Sequence, residues 1–373
     1  MGPLDGFRII EIAGIGPTQF CGMLLADMGA DVLRVERADA ADAGVGIPPE
    51  YNLMNRGRKA VAVDLKEPAH VEAVLALCGK ADALFEGFRP GVMERLGLGP
   101  DACLARNGRL VYGRMTGWGQ TGPLAQAAGH DGNYAALAGV IGAIGERDRP
   151  PSIPLNLAAD FGGGGAYLAI GLLAALLETG RSGKGQVVDA AMVDGAASLM
   201  TAFYGLKAAR LWKDERGANL LDGGAPFYRV YRTRDGQYVI VCALENRFFR
   251  ELLDRMDVDG IDPDDQYDQS LWPSHVAAFE TAFAAKDRAE WCALLEGSDA
   301  CFAPVLSLTE AARHAHNRAR ETFIEVDGII QPGPAPRFSR TASTVRHAAS
   351  GRRSSLASAL EAWGVDPERV VEP

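Results

Sequence analysis

The sequence predicts an α/β fold, with a Rossmann-like large domain built on a parallel sheet and a smaller α+β domain. Two observations carry the prediction. Through the first half of the chain, short apolar runs rich in β-branched residues alternate with longer helical patterns, as in a sheet covered by helices on both faces. Beyond about residue 225 the alternation gives way to a hairpin pattern followed by amphipathic helices. At 373 residues and 47% apolar, the chain exceeds one typical domain of ~100–200 residues and can bury a sizeable core.

The elements follow in order. A first strand is expected over 7–12, then a turn at Gly14-Ile15-Gly16-Pro17 and a helix over 20–28 that Gly29 ends. Further strands are expected over 31–36, 60–64, 83–86, 110–114 and 186–190, with helices over 69–78 and 166–178, which makes the unit doubly wound. A helix to about Ala209 leads into a Gly-rich stretch over 216–224. Strands over 227–231 and 238–242 flank Asp235-Gly236, a turn signal, and three helices are expected near 246–256, 274–285 and 287–296. Pro332, Pro334 and Pro336 exclude a helix over 331–337, which should run extended over the surface. The division is therefore a large domain of 1–195 completed by 330–373, a linker of 196–224 and a small domain of 225–320.

The 38 Lys and Arg against 48 Asp and Glu give a net charge of −10, which excludes a nucleic-acid surface and requires a local cluster of basic residues for any anionic ligand. The longest apolar stretch, 166–177, is short of the ~20 residues that span a bilayer, so no membrane partner is expected. The first residues lack a basic start and an apolar core, and 369–373 carry no Ser-Lys-Leu address, so a cytoplasmic setting is expected. Six cysteines without a Cys-x-x-Cys pair suggest buried thiols in a reducing compartment, with no metal site.

A dinucleotide fingerprint begins at Gly14-x-Gly16 but fails where Gln19 replaces its third glycine and Pro17 removes an N–H, which excludes nicotinamide. Four glycines over 162–165, heading an apolar helix, are locally unfavourable, so something must approach that backbone closely. Asp160 before them reads either as the helix N-cap or as an acid or base at a helix start, where N–H groups could hold an oxyanion. His130, in a glycine-rich loop, is either structural or a base, and Glu245 either a helix-start charge or the partner of a catalytic His. His314 and His316, in an Arg-rich stretch, read as solvated. Arg89 follows a strand, and with Arg37, Arg56, Arg58, Lys59 and Lys66 it could form a phosphate-binding patch.

Several motifs in order resemble one known family: Met23-Leu24-Leu25-Ala26-Asp27-Met28-Gly29-Ala30-Asp31-Val32, Arg89-Pro90-Gly91-Val92, Met115-Thr116-Gly117-Trp118-Gly119-Gln120-Thr121-Gly122-Pro123, Gly129-His130-Asp131, Asp160-Phe161-Gly162-Gly163-Gly164 and Gly183-Lys184-Gly185-Gln186-Val187-Val188-Asp189. Over nearly the whole chain they resemble the class III coenzyme A transferases, and within them the α-methylacyl-CoA racemases. The resemblance implies that His130 and Asp160 flank the α-carbon of a bound 2-methylacyl-CoA, with Glu245 orienting His130. It places Arg37 and Arg89 at the adenine and phosphate end of CoA, Lys66 and Tyr134 near the pantetheine arm, and the oxyanion donors on the backbone of Asp160, Phe161 and Gly162. It further implies an interlocked homodimer and no cofactor beyond the CoA of the substrate. The alternative within the family is a CoA transferase that uses Asp160 as nucleophile. Thr18-Gln19-Phe20 stand where many members carry a small residue and Pro, which leaves the acyl specificity open.

Overall fold

Six of the predicted β-branched runs form one parallel sheet: β1 (Arg8–Ile12), β2 (Asp31–Arg37), β3 (Lys59–Val63), β4 (Ala83–Glu86), β5 (Val111–Thr116) and β6 (Gln186–Ala191). They lie in the order β3-β2-β1-β4-β5-β6, the doubly wound order expected from the sequence. Apolar pairs such as Ile10 opposite Leu33 and Leu84 pack one face of the sheet, and because the opposite face is buried too, a one-residue slip would exchange the side chains packed on the two faces. The computed structural model describes residues 2–37 and 46–371; Glu372 and Pro373 of the C-terminal address reading lie outside them.

Helices of this unit include α1 (Pro17–Asp27), α2 (Pro68–Cys78), α3 (Pro100–Arg106), α4 (Asp131–Leu137), α5 (Tyr167–Ser182) and α6 (Met192–Leu199). Pro at the first position opens α1, α2 and α3, where its missing N–H costs nothing. Val74 and Leu77 of α2 bury against Ile10, Leu33, Val61 and Leu84 of the sheet. The helix preceding β6 starts earlier than expected. A π-helical run, Leu157–Ala166, leads directly into α5, and the 26 residues together, with an 18-residue stretch of mean hydropathy 1.5, are long and apolar enough to cross a membrane by length and composition. Its buried residues, among them Leu168 and Leu172, pack against β5, as in the core helix of a folded domain.

The chain divides into two units: Met1–Val140, Leu155–Met200 and Glu321–Pro373 in the first, Ile141–Pro154 and Thr201–Arg320 in the second. This differs from the expected division, since 141–154 belongs with the second unit, 321–329 with the first, and the anticipated linker divides between the two after Met200. A hairpin of Phe323–Val326 and Ile329–Pro332, absent from the sequence reading, accounts for the extra residues of the first unit. Gln331 is accordingly a buried strand residue and not a surface one. It accepts a hydrogen bond from Arg56 Nη1 (2.9 Å), which also donates to the Pro332 carbonyl (2.7 Å), while Arg56 Nη2 pairs with Asp27 at the end of α1 (2.7 Å).

In the second unit, α7 (Thr201–Ala208) precedes the hairpin β7 (Tyr228–Arg232) and β8 (Tyr238–Cys242), and the helices α8 (Asn246–Met256), α9 (Trp272–Phe283) and α10 (Arg288–Leu295) follow within two residues of their expected limits. A short strand β9 (Phe302–Pro304) adds to β8, giving the order β7-β8-β9. Its core is aromatic: Phe227, Tyr231, Phe249, Phe279, Phe283 and Trp291 are fully buried.

Candidate active site

Three strand ends frame one cavity of about 610 Å³ in the first unit. Residues after β1 (15–19), β4 (87–90) and β5 (117–118) line it, with His130, Tyr134, Asn156 and Asp160. It stands where the strand order reverses between β1 and β4, the place at which open α/β sheets bind their ligands.

Asp160 is half-buried on the cavity wall and sits inside the π-helical run, not at its N-cap, which is Asn156. The N-cap expectation is therefore corrected: 157–159 already turn, because a distant carboxylate captures the unpaired N–H groups of that first turn. Asp131 Oδ1 accepts from the amides of Ala159 (2.8 Å) and Asp160 (2.7 Å). The Asp160 amide is thus not available to an oxyanion, contrary to expectation. Phe161 and Gly162 follow in the same run, where the i→i−5 ladder takes up main-chain N–H groups. What approaches the glycines is α6 on one side and α1 on the other: a Cβ on Gly163 would stand 2.5 Å from the Ala196 nitrogen, and one on Gly165 2.6 Å from the Pro17 carbonyl oxygen. The Asp160 carboxyl accepts from Asn156 Nδ2 (3.3 Å). Burial pushes its pKa above the ordinary range, the Asn156 bond pulls it down, and the charge of Asp131 adds to the rise against that of His130.

His130 is the N-cap of α4, and its own amide is held by Asn133 Oδ1 (3.0 Å), which leaves the imidazole exposed at the cavity. Tyr134, one turn on, is buried edge-on against Trp118. Its ring fills the space beside Gly117, where a Cβ would come within 2.1 Å of it. Burial and the nearby Asp160 charge raise the Tyr134 hydroxyl pKa.

Arg89 lines the same cavity. Glu86 sets its turn: the buried carboxylate accepts from the Phe88 amide (2.6 Å) and pairs with Arg114 (3.3 Å), and burial raises its pKa to about 7 against the pull of that amide and guanidinium, with a smaller push from the charge of Glu94. Arg37 ends β2 and Lys66 follows β3, on the carboxyl edge of the sheet but outside the cavity lining. The larger basic patch is not formed. Arg56 is buried against Asp27, Arg58 is buried against Glu11, and Lys59 pairs with Asp31 (3.6 Å). Glu245 belongs to the second unit, where it is the exposed N-cap of α8. Sequence reasoning assigned no role to Asp131 or Asn156, the two groups bonded to the Asp160 residue. The only signal for Asp131 was its place beside His130.

These features define a class first: a doubly wound α/β enzyme whose cavity presents a carboxyl and an imidazole in place of a dinucleotide cradle. The chain belongs to CoA-transferase family III, whose pattern matches residues 4–350. It is 45% identical over 340 residues to the mouse alpha-methylacyl-CoA racemase, covering 91% of this chain and 87% of that protein. Against the human alpha-methylacyl-CoA racemase it is 42% identical over 334 residues, with 89% and 86% covered. Among solved structures, a CAIB/BAIF family protein from Brucella suis matches with a TM-score of 0.82 at 26% identity, over 97% of this chain and 99% of that one. The fold expected from the sequence is thereby confirmed.

Proposed function

We propose that the protein interconverts the (2R) and (2S) forms of 2-methylacyl-CoA thioesters by moving a proton at the α-carbon. The observation that carries the reading is the presence of His130 and Asp160 on one cavity at the switch point, in a chain 45% identical to a racemase of such thioesters. Inversion needs a base on one face of the carbon and an acid on the other. His130 takes the proton from one enantiomer while protonated Asp160 delivers to the opposite face, and the roles exchange in the reverse direction. The raised pKa of Asp160 favours its acid form, as this role requires.

The intermediate is an enolate whose oxygen must be stabilised as charge develops. With the Asp160 amide occupied, the enolate oxygen is left to other polar groups of the cavity wall. Arg89 and Tyr134 support the phosphate and pantetheine portions of CoA, with Arg37 and Lys66 at the outer edge. Proton transfer between a positioned acid and base asks for no electron acceptor, so no cofactor is assigned beyond the CoA of the substrate. Glu245, from a second copy of the chain in a homodimer, is assigned to the imidazole, whose cation a carboxylate stabilises. Free thiols, Cys78 and Cys103 lying 3.9 Å apart among them, support a reducing compartment such as the cytoplasm.

The test is the incorporation of solvent deuterium at the α-carbon of a 2-methylacyl-CoA with no acceptor acid present. Exchange with loss of optical purity is expected. Turnover only when a second carboxylic acid is supplied, with a CoA thioester trapped on Asp160, would replace this reading by CoA transfer.

A further inference from the structure

We propose that Asp131 is a positioning residue that sets the place of Asp160 and biases it toward its protonated form; the inference rests on the reading of Asp160 as an acid and base. Asp131 is buried at 4% exposure and follows His130 directly at the start of α4. Its Oδ1 receives two successive amides, those of Ala159 and of Asp160 itself, at 2.8 and 2.7 Å. Those amides belong to the first turn of the π-helical run and have no carbonyl behind them to bond. Asp131 therefore acts as a cap supplied from 28 residues away. The consequence is geometric. The imidazole is one peptide bond from Asp131, and the carboxyl of Asp160 is carried by a residue whose main chain Asp131 grips, so a single side chain fixes the spacing of the two proton-transfer groups.

The second half concerns charge. Asp131 Oδ2 is buried and has no hydrogen-bond partner among the described residues. Among the described residues no guanidinium or ammonium pairs with this carboxylate, unlike Glu86, which Arg114 accompanies. A negative charge held by amides alone in low dielectric opposes a second one nearby. The charged groups acting on Asp160 are Asp131, which opposes its ionisation, and His130, which favours it. Tyr134 on the same helix is itself perturbed by Asp160. Of the other elements packed on the run, α1 carries Cys21 and Asp27, α5 Tyr167, Glu178 and Arg181, α6 Asp194, β5 Tyr112 and Arg114, and β6 Asp189, none of which contributes to that shift.

Two variants of the full chain separate the halves. Asp131→Asn keeps an oxygen to accept both amides and removes the charge; Asp131→Ala removes both. With (2R)- and (2S)-2-methyldecanoyl-CoA as probes, Asp131→Ala is expected to lose about 100-fold in kcat with KM within about threefold, the penalty of a misplaced acid. Asp131→Asn is expected to recover most of that loss and to move the limb of the pH profile that reports Asp160 to lower pH in both directions. Amide hydrogen exchange at Ala159 and Asp160 should quicken in Asp131→Ala and stay slow in Asp131→Asn. An Asp131→Ala enzyme with parental kcat and protected amides would overturn the proposal. Should that variant fail to fold, an Asp131→Asn enzyme with an unmoved pH limb would do so. If the parent exchanges no α-proton but transfers CoA, the racemase reading fails alone, and the exchange protection and the pH profile of transfer still decide the role of Asp131.

Discussion

Two helix starts border the cavity, and they are closed in opposite ways. At α1 the cap is local: the Gly16 amide is taken by the side chain of Gln19, three residues on, and Gln19 in turn donates to Asn55. At the π-helical run the cap comes from Asp131, on another helix. A local cap is worth about the same wherever the chain folds, whereas a distant cap exists only once two segments have met. The start that carries the reacting carboxyl is the one whose form depends on tertiary structure.

The comparison is broken most severely at Asp160. Asp160→Asn retains the main-chain bonds to Asp131 and the polar contact with Asn156, so the melting temperature should change little. Its racemisation rate should fall about a thousandfold, within the range of acid–base catalysis by one residue. Comparable losses of rate and stability would mean that this helix start serves the fold as much as the chemistry.

Glu86 sharpens the contrast from the strand side, since it too holds an amide with a buried carboxylate, but two residues away and beside a guanidinium. Its pKa rises from 4.5 to about 7 on folding, so the folded state binds the extra proton between those values. Stability is therefore highest below pH 4.5 as far as this group is concerned, and about 3 kcal/mol is lost as pH climbs through 7. Urea unfolding at pH 5 and pH 8 should show the decline, and Glu86→Gln should flatten it; an unchanged slope would remove Glu86 as its source. The smallest effect is expected at the local cap: Gln19→Ala should cost about 1 kcal/mol in the same assay and leave the pH profile of catalysis in place.

The same contrast explains what could be read from the amino-acid order. The six strands were legible because β-branched runs record burial on both faces directly, and Pro17 and Gly29 bracket α1 by local geometry. The site was legible as residue types, with His130 in its loop and Asp160 before the glycines. Its geometry was not. Leu157, Ala158 and Ala159 carry no cap signal, and nothing local shows that Asp131 lies beneath them. Arg56 and Arg58 looked like ligand-binding charges because their counter-ions, Asp27 and Glu11, lie 29 and 47 positions earlier. Spacing in sequence cannot report a partner that only the closed sheet supplies.

The fastening around Arg56 bears on how this protein is made. Its guanidinium meets Asp27 early, but Gln331 and Pro332 emerge from the ribosome some 275 residues later. The sheet strands all precede residue 192, so a nascent chain can assemble them while this buried cation still lacks two of its acceptors. The assembled sheet is then carried through the synthesis of residues 192 to 331 with that seam open, and a premature stop in that interval would release it unsealed.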